Sequence, residues 1–338
     1  MRKQGTRVAG RGTRGTAHDT TASSDEGPAM SEAGPATSGA APATSEVRAY
    51  VLDRDVIRIA GPDAISYLQG QLSQDVVDLA VGASGFSFLL EPQGKVSAWG
   101  RITRVADDAI IFDVDHGFAD VAIARLTRFK LRTKADIAQL DWQVVAIRGD
   151  AGYDTVGDAV IAAFDWPGFS GVDLIGAEVT APPDMTIGDR AEYERRRIEV
   201  GVPALGRELD ASTIPGEAGA AIIDASVSFT KGCYTGQELV ARVDSRGNNT
   251  PRRLRLVRID DGVPGAGSEL LVDDKVVGRL TSVAPTETGA VALAYVQRAV
   301  EPPVATVVVD QAGRRYTSIC VPLAGPPSAV GTGERAAT

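Results

Sequence analysis

The octapeptide Lys231-Gly232-Cys233-Tyr234-Thr235-Gly236-Gln237-Glu238 runs directly into a stretch, Gln237 to Asp244, that reads as a helix. Glu238 and Arg242 lie four apart with the acid first, the favourable orientation for an intrahelical pair. The helix places Cys233 in the loop ahead of its N-terminus, two residues after Lys231. A helix N-terminus and a neighbouring ammonium both favour a thiolate. Gly232 and Gly236 flank the segment and open backbone conformations closed to other residues. Two readings fit this spacing about equally: a reactive or ligand-binding thiol, and a buried structural cysteine in a glycine-rich loop.

Downstream of the motif the pattern changes. Short alternating runs at Leu254 to Ile259, Val276 to Val283, Val291 to Val296, Ala305 to Val309 and Tyr316 to Cys320 are separated by Gly, Pro and Asp. Five such strands with no helix signal predict a small β-barrel over residues 251–323. Upstream, Val56 to Ile59 alternates like a strand, and Gly61-Pro62-Asp63 opens a helix with proline at its first position. Phe86 to Leu90, the turn Pro92-Gln93-Gly94 and Val96 to Val105 read as a hairpin, and Ala109 to Val114 as a further strand. A helix over Phe118 to Arg128, a strand-like run Phe129 to Ile137 and a helix over Asp189 to Glu199 follow. Strand pairs alternating with helices give an α+β class with mixed or antiparallel sheets. Residues 47–250 divide into two αβ units, 47–140 and 141–250. Residues 1–46 and 324–338 have too few large apolar side chains to offset the entropy of ordering and are expected to be disordered. Translation from Met30 fits this sequence as well as translation from Met1.

Composition excludes several classes. A net charge of -9 over 338 residues argues against general nucleic-acid binding. With only His18, His116, Cys233 and Cys320, a zinc site of His and Cys ligands is not expected, and the chain cannot supply four thiolates to a cluster by itself. No GxSxG accompanies His116, so no serine triad is expected. The two widely separated cysteines point to a reducing compartment, and Cys320, in an apolar strand, reads as a buried inert thiol. Arg125, Arg128, Lys130, Arg132 and Lys134 form a basic cluster that fits either an anion-binding patch or a solvated helix end. Arg195-Arg196-Arg197, with Glu192, Glu194 and Glu199 nearby, reads as charge pairing on a wet surface.

The run Lys231 to Arg242, continued by Arg246-Gly247, resembles the signature of the YgfZ family, whose fold is similar to that of the glycine-cleavage T-protein, an aminomethyltransferase. Further segments resemble the same family: Gly61-Pro62-Asp63-Ala64 with Leu68-Gln69-Gly70-Gln71, Pro92-Gln93-Gly94-Lys95, Arg197-Ile198-Glu199, and Pro215-Gly216-Glu217. The resemblance implies a T-protein-like ring of two αβ units plus the C-terminal barrel, with tetrahydrofolate in its central opening and no permanently bound metal. It also implies a role in assembly or repair of iron–sulfur, especially 4Fe–4S, enzymes, with client or assembly proteins as partners and tRNA as a minor alternative. Lys231 and Cys233 are then the functional pair, and Tyr234, Gly236, Gln237, Glu238 and Arg242 shape the folate-side loop. Asp173 joins them as a folate contact.

Two departures from the T-protein stand out. The strand position of its acidic pair aligns with Ala98-Trp99, where no carboxylate stands, and its pterin-binding acid aligns with Phe169. The expectation is a folate binder that lacks the T-protein reaction, acting in the cytoplasm or, alternatively, the mitochondrial matrix, without contact to a membrane.

Overall fold

The computed structural model describes residues 47–149 and 157–323. The tails expected at 1–46 and 324–338 lie outside the described residues. Strands β1 (Arg48–Leu52) and β2 (Arg54–Ala60) lead into helix α1 (Ala64–Gln69), strands β3 (Ser84–Leu90), β4 (Val96–Ala106) and β5 (Ala109–Asp115), helix α2 (Ala119–Lys130), and strand β6 (Asp136–Leu140). Strands β7 (Gln143–Arg148), β8 (Val160–Phe164), β9 (Gly171–Gly176) and β10 (Thr186–Ile187) follow, then helices α3 (Arg190–Glu199), α4 (Ala220–Ser226) and α5 (Gln237–Ser245).

Two five-stranded sheets result, in the orders β3-β4-β5-β2-β6 and β10-β1-β7-β9-β8. The second sheet takes β1 from the start of the chain and pairs it with β7, so the two sheets do not divide at residue 140. β1 and β2 are separated by Asp53 alone, so one extended segment serves both sheets. β5 is buried on both faces, which explains its near-continuous apolar sequence, whereas β2 keeps Arg58 exposed. One core joins the sheets: Ile57, Phe88 and Phe112 of the first pack in the same cluster as Val144, Ala146 and Ile175 of the second.

Strands β11 (Arg252–Ile259), β12 (Glu269–Val272), β13 (Lys275–Pro285), β14 (Ala290–Gln297), β15 (Val304–Val309) and β16 (Arg315–Val321) close a six-stranded barrel in the order β11-β14-β13-β12-β15-β16. Sequence alternation predicts five strands; β12 is the sixth, and at four residues it is too short for alternation to register. Asp273 and Asp274 join it to β13 with φ of 49° and 56°, a two-residue turn whose hand matches strand twist. α3 packs on the barrel through Ile198, which clusters with Leu254, Leu256 and Leu293.

Two local expectations change. α1 begins at Ala64, so Pro62 precedes the helix, and the Asp63 carboxylate accepts from the Lys134 amide at 2.7 Å instead of capping α1. Phe129 finishes α2 instead of starting a strand, because its ring stays beneath the Arg125 and Arg128 guanidiniums at 4.1 and 5.5 Å.

Candidate functional site

A cavity of about 270 Å³ opens where β3, β4 and β5 of one sheet meet β8 and β9 of the other, with α3 and residues 202–207 along its side. Its apolar wall is aromatic. Phe86 stacks on Trp99 with centroids 5.0 Å apart and planes 8° from parallel, and Phe164 meets Phe86 edge-on at 5.3 Å. The Trp99 indole is fixed in orientation by donating from Nε1 to Ser226 Oγ at 2.9 Å. Tyr193 closes the α3 side, and burial raises its phenol pKa.

The polar wall is a chain of alternating charges. Arg54 donates to Asp113 at 2.7 Å and to Asp115 at 2.9 Å. Arg101 donates to Asp113 at 3.1 Å, and Arg148 donates to Asp173 at 2.5 Å while lying 3.9 Å from the Phe164 ring centroid. Burial would push the Asp173 carboxyl up, but Arg101 and Arg148 reverse that and hold it below the ordinary value. Arg101 Nη2 completes the chain as an ion pair with Asp173 Oδ2 at 2.8 Å. The Arg148 guanidinium also faces the Phe164, Phe169 and Tyr193 rings.

The sequence predicts a site without the T-protein's acidic pair and pterin-binding acid but with Asp173. The cavity instead carries Asp113 and Asp115 from β5, besides Asp173. Each is tied to guanidiniums, so none offers a free basic oxygen. Phe169 is not a cavity wall: it is buried between Phe164 and Tyr193 at 6.1 and 5.3 Å. Arg54, Arg101 and Asp113 are absent from the sequence expectations. For Arg101 and Asp113 the signal is a single charge inside an apolar strand, as in Ile111-Phe112-Asp113-Val114; Arg54, flanked by Asp53 and Asp55, gives no such signal.

Of the predicted site residues, only Asp173 lines this cavity; none of residues 231–242 does. The octapeptide sits against the β3–β4 hairpin. Gly236, with φ of 84°, caps α5, and a Cβ there would fall 2.7 Å from the Glu91 carbonyl oxygen and 2.8 Å from Leu90 Cβ. Gln237 returns its side-chain oxygen to the Tyr234 amide at 3.2 Å, and Tyr234 is buried, which pushes its phenol up to about 12. Lys231 donates to the carbonyls of Gln69, Leu72 and Gln74 at 2.7, 2.7 and 2.8 Å, using all three of its N–H groups, while burial pushes it down to about 8. Cys233 is exposed. The segment is linked to the cavity through Ser226, which receives both the Trp99 indole and, on its carbonyl, Ser73 Oγ at 2.6 Å.

Four expectations for charges and glycines change. Glu238 and Arg242 are both exposed and form no ion pair among the described residues, consistent with the small gain such pairs offer against side-chain entropy. Gly232 stands in open space outside the left-handed region, so only Gly236 needs to be glycine. Arg125 leaves the basic cluster: it is buried and donates to the Leu90 carbonyl and Gln71. Arg197 is not on a wet surface but buried, joined to Glu194, Glu208 and Ser282. Cys320 is buried as expected, and burial pushes its thiol up to about 11. Among the described residues no group of three or more His, Cys, Asp or Glu could hold a metal ion, and no helix is long and apolar enough to cross a membrane.

Two sheets around an aromatic and charged cavity, followed by a closed barrel, define a T-protein-like α+β protein. The structure of the glycine cleavage system aminomethyltransferase T from Bartonella henselae matches with a TM-score of 0.69 at 19% identity, over 82% of this chain and 86% of that one. The chain belongs to the YgfZ family. An uncharacterized protein of Haemophilus influenzae is 32% identical over 200 residues, 57% of this chain and 67% of the relative. The tRNA-modifying protein YgfZ of Aliivibrio fischeri is 26% identical over 234 residues, 64% of this chain and 73% of its own length. Its counterpart in Pectobacterium carotovorum is 27% identical over 244 residues, 63% and 70% of the two chains. No protein-family model matches the chain.

Proposed function

We propose that the chain binds tetrahydrofolate in the cavity between its sheets and serves assembly or repair of 4Fe–4S enzymes, with Cys233 as a thiol presented to a partner protein. The observation that carries the folate reading is a flat aromatic wall, Phe86 stacked on Trp99, in a cavity also lined by the guanidiniums of Arg54 and Arg101. A heterocycle rich in nitrogen and carbonyl acceptors that lies against these rings meets donors along the polar wall, and a pterin has this chemistry. The half-exposed Arg207 and the more exposed Arg190 stand at the cavity for the carboxylates of the glutamate tail. Bound tetrahydrofolate supplies a carrier for one-carbon units.

The acids around it do not suit aminomethyl transfer. Asp173 is held between two guanidiniums that lower its pKa, and a carboxylate so held is a weak base; Asp113 has both oxygens engaged, by Arg54 and Arg101. This favours binding over the T-protein reaction. Cys233, exposed and outside the cavity wall, favours a thiol that acts outward on a partner over one that works on the folate. The bacterial relatives support a cytoplasmic setting over a mitochondrial one. Their printed name supports a second reading, tRNA modification, for which the exposed Arg128, Arg132 and Lys134 offer phosphate contacts and the net charge of -9 is a handicap.

Calorimetry with tetrahydrofolate tests the first half. Trp99→Ala is expected to weaken binding about tenfold or more, given roughly 1–3 kcal/mol for stacking a flat heterocycle on an aromatic side chain. Absence of binding to the wild type refutes the folate reading. In cells lacking the endogenous protein, Cys233→Ala is expected to leave 4Fe–4S enzyme activity low while the purified variant still binds tetrahydrofolate. Full rescue by the alanine variant removes the thiol from the function and leaves the folate site standing.

A further inference from the structure

A second cavity, of about 350 Å³, lies beside Trp166, between α4, the Gly247-Asn248 turn and β11. Two half-buried arginines of β11, Arg253 and Arg255, line it. No acid is among its lining residues, in a protein whose net charge is -9. Among the described residues neither arginine meets a carboxylate within ion-pair distance. The Arg253 side chain donates only to the Asn248 carbonyl at 3.2 Å, and the Arg255 side chain only to the Leu254 carbonyl at 3.5 Å. By contrast Arg252, their neighbour on the same strand, is paired with Glu217 at 3.1 Å.

Burial lowers the Arg255 pKa, and Arg253 beside it lowers it further, against small opposing effects of Cys320 and Glu301. Two adjacent guanidiniums in a recess are stabilised by an oxyanion able to accept from both, and a planar guanidinium fork matches a phosphate oxygen pair. The remaining walls are apolar: Trp166, Ile222, Leu254 and Leu323. Gly219 leaves space open by contributing no side chain, while Gly216 lets Asn248 and Val243 pack against its backbone.

We propose that this recess is a binding site for a small phosphate monoester with a flat apolar body, the phosphate held by Arg253 and Arg255 and the body against Trp166 and Leu254. It is separate from the cavity between the sheets and shares no lining residue with it; its Trp166 ring meets two walls of that cavity edge-on, Trp99 at 6.3 Å and Phe86 at 5.8 Å. The inference therefore does not depend on folate being the ligand of the first cavity.

Calorimetry on the full chain with 1-naphthyl phosphate tests it, with 1-naphthol and inorganic phosphate as the body and the anion alone. The phosphate ester is expected to bind more tightly than either part. Arg253→Gln and Arg255→Gln are each expected to weaken it about tenfold or more, the effect of losing one charge-assisted hydrogen bond, with an unchanged melting temperature. The double variant Arg190→Gln/Arg207→Gln, which removes cations at the first cavity, is expected to bind it as the wild type does. Failure of the wild type to bind, naphthol binding as tightly as its phosphate, equal affinity in the β11 variants, or loss in the Arg190/Arg207 variant instead would each overturn the proposal.

Discussion

Replacing Asp173 with alanine is expected to destabilise the protein by about 3–5 kcal/mol, the usual cost of removing one partner from a buried ion pair. Arg148 is buried, and among the described residues Asp173 is its only carboxylate partner, so the variant strands a guanidinium against Phe164 with no described carboxylate to balance its charge. Arg101 loses one of its two acids and keeps Asp113. For a chain of this size that loss lowers the melting temperature by roughly 10 °C. Asp173→Asn keeps the shape and one acceptor and is expected to lose less. A second change locates the cause: adding Arg148→Met to Asp173→Ala should recover at least half of the lost stability, because the isolated charge and not the missing contact is what costs. A melting temperature within 2 °C of wild type for Asp173→Ala, as an order-of-magnitude threshold for a cost below about 1 kcal/mol, would contradict the network.

The same carboxyl gives a pH signature. Its folded pKa lies below the ordinary 3.8, because Arg101 and Arg148 outweigh the effect of burial. A carboxyl depressed on folding contributes stability that is present above the unfolded value and lost as pH falls through the folded one. The stability gap between wild type and Asp173→Asn should therefore be constant above about pH 5 and close progressively below the unfolded value. Acid titration followed by circular dichroism reads this directly.

This network also marks where the sequence stops being readable. The Phe86 to Val105 hairpin and the barrel announce themselves, because their alternation and turn residues are local. Arg54, Arg101, Asp113, Arg148 and Asp173 come from five strands of two sheets, and nothing in their spacing predicts that they meet. What could be read was that Arg101 and Asp113 are each a charge inside an apolar run, which has to find a partner once buried. Gly236 was readable from the motif, since a helix entered directly from a tight loop needs a left-handed residue. The partner of Lys231 was not. Its long stem reaches carbonyls some 160 positions earlier in the chain, at separations of 157, 159 and 162 residues, instead of serving its sequence neighbour Cys233.

Lys231→Met is expected to cost about 3 kcal/mol, summed over three carbonyls that lose their donor and recover part of that loss from water. Methionine keeps the apolar stem and comparable length, so the change isolates the ammonium. Gln69 and Gln74 are half-buried and can hydrate, whereas Leu72 is fully buried and its carbonyl has the least access to replacement water. The ammonium is the main tie between the octapeptide and the turn after α1, supported by the Thr235 amide on Gly70 and the Ser228 amide on Ser73, each at 3.0 Å. Loss of the tie should release both segments together, seen as faster hydrogen exchange at residues 70–76 and 228–236 while the barrel keeps its protection. Lys231→Arg is expected to fail as well, because a planar fork cannot direct donors to three carbonyls arranged around one nitrogen. If Lys231→Met instead leaves exchange at residues 70–76 unchanged and alters only the chemistry of Cys233, the lysine works on the thiol and its carbonyl contacts are incidental. The clamp predicts the reverse order: the loop opens first, and the thiol changes only because the segment that presents it has moved.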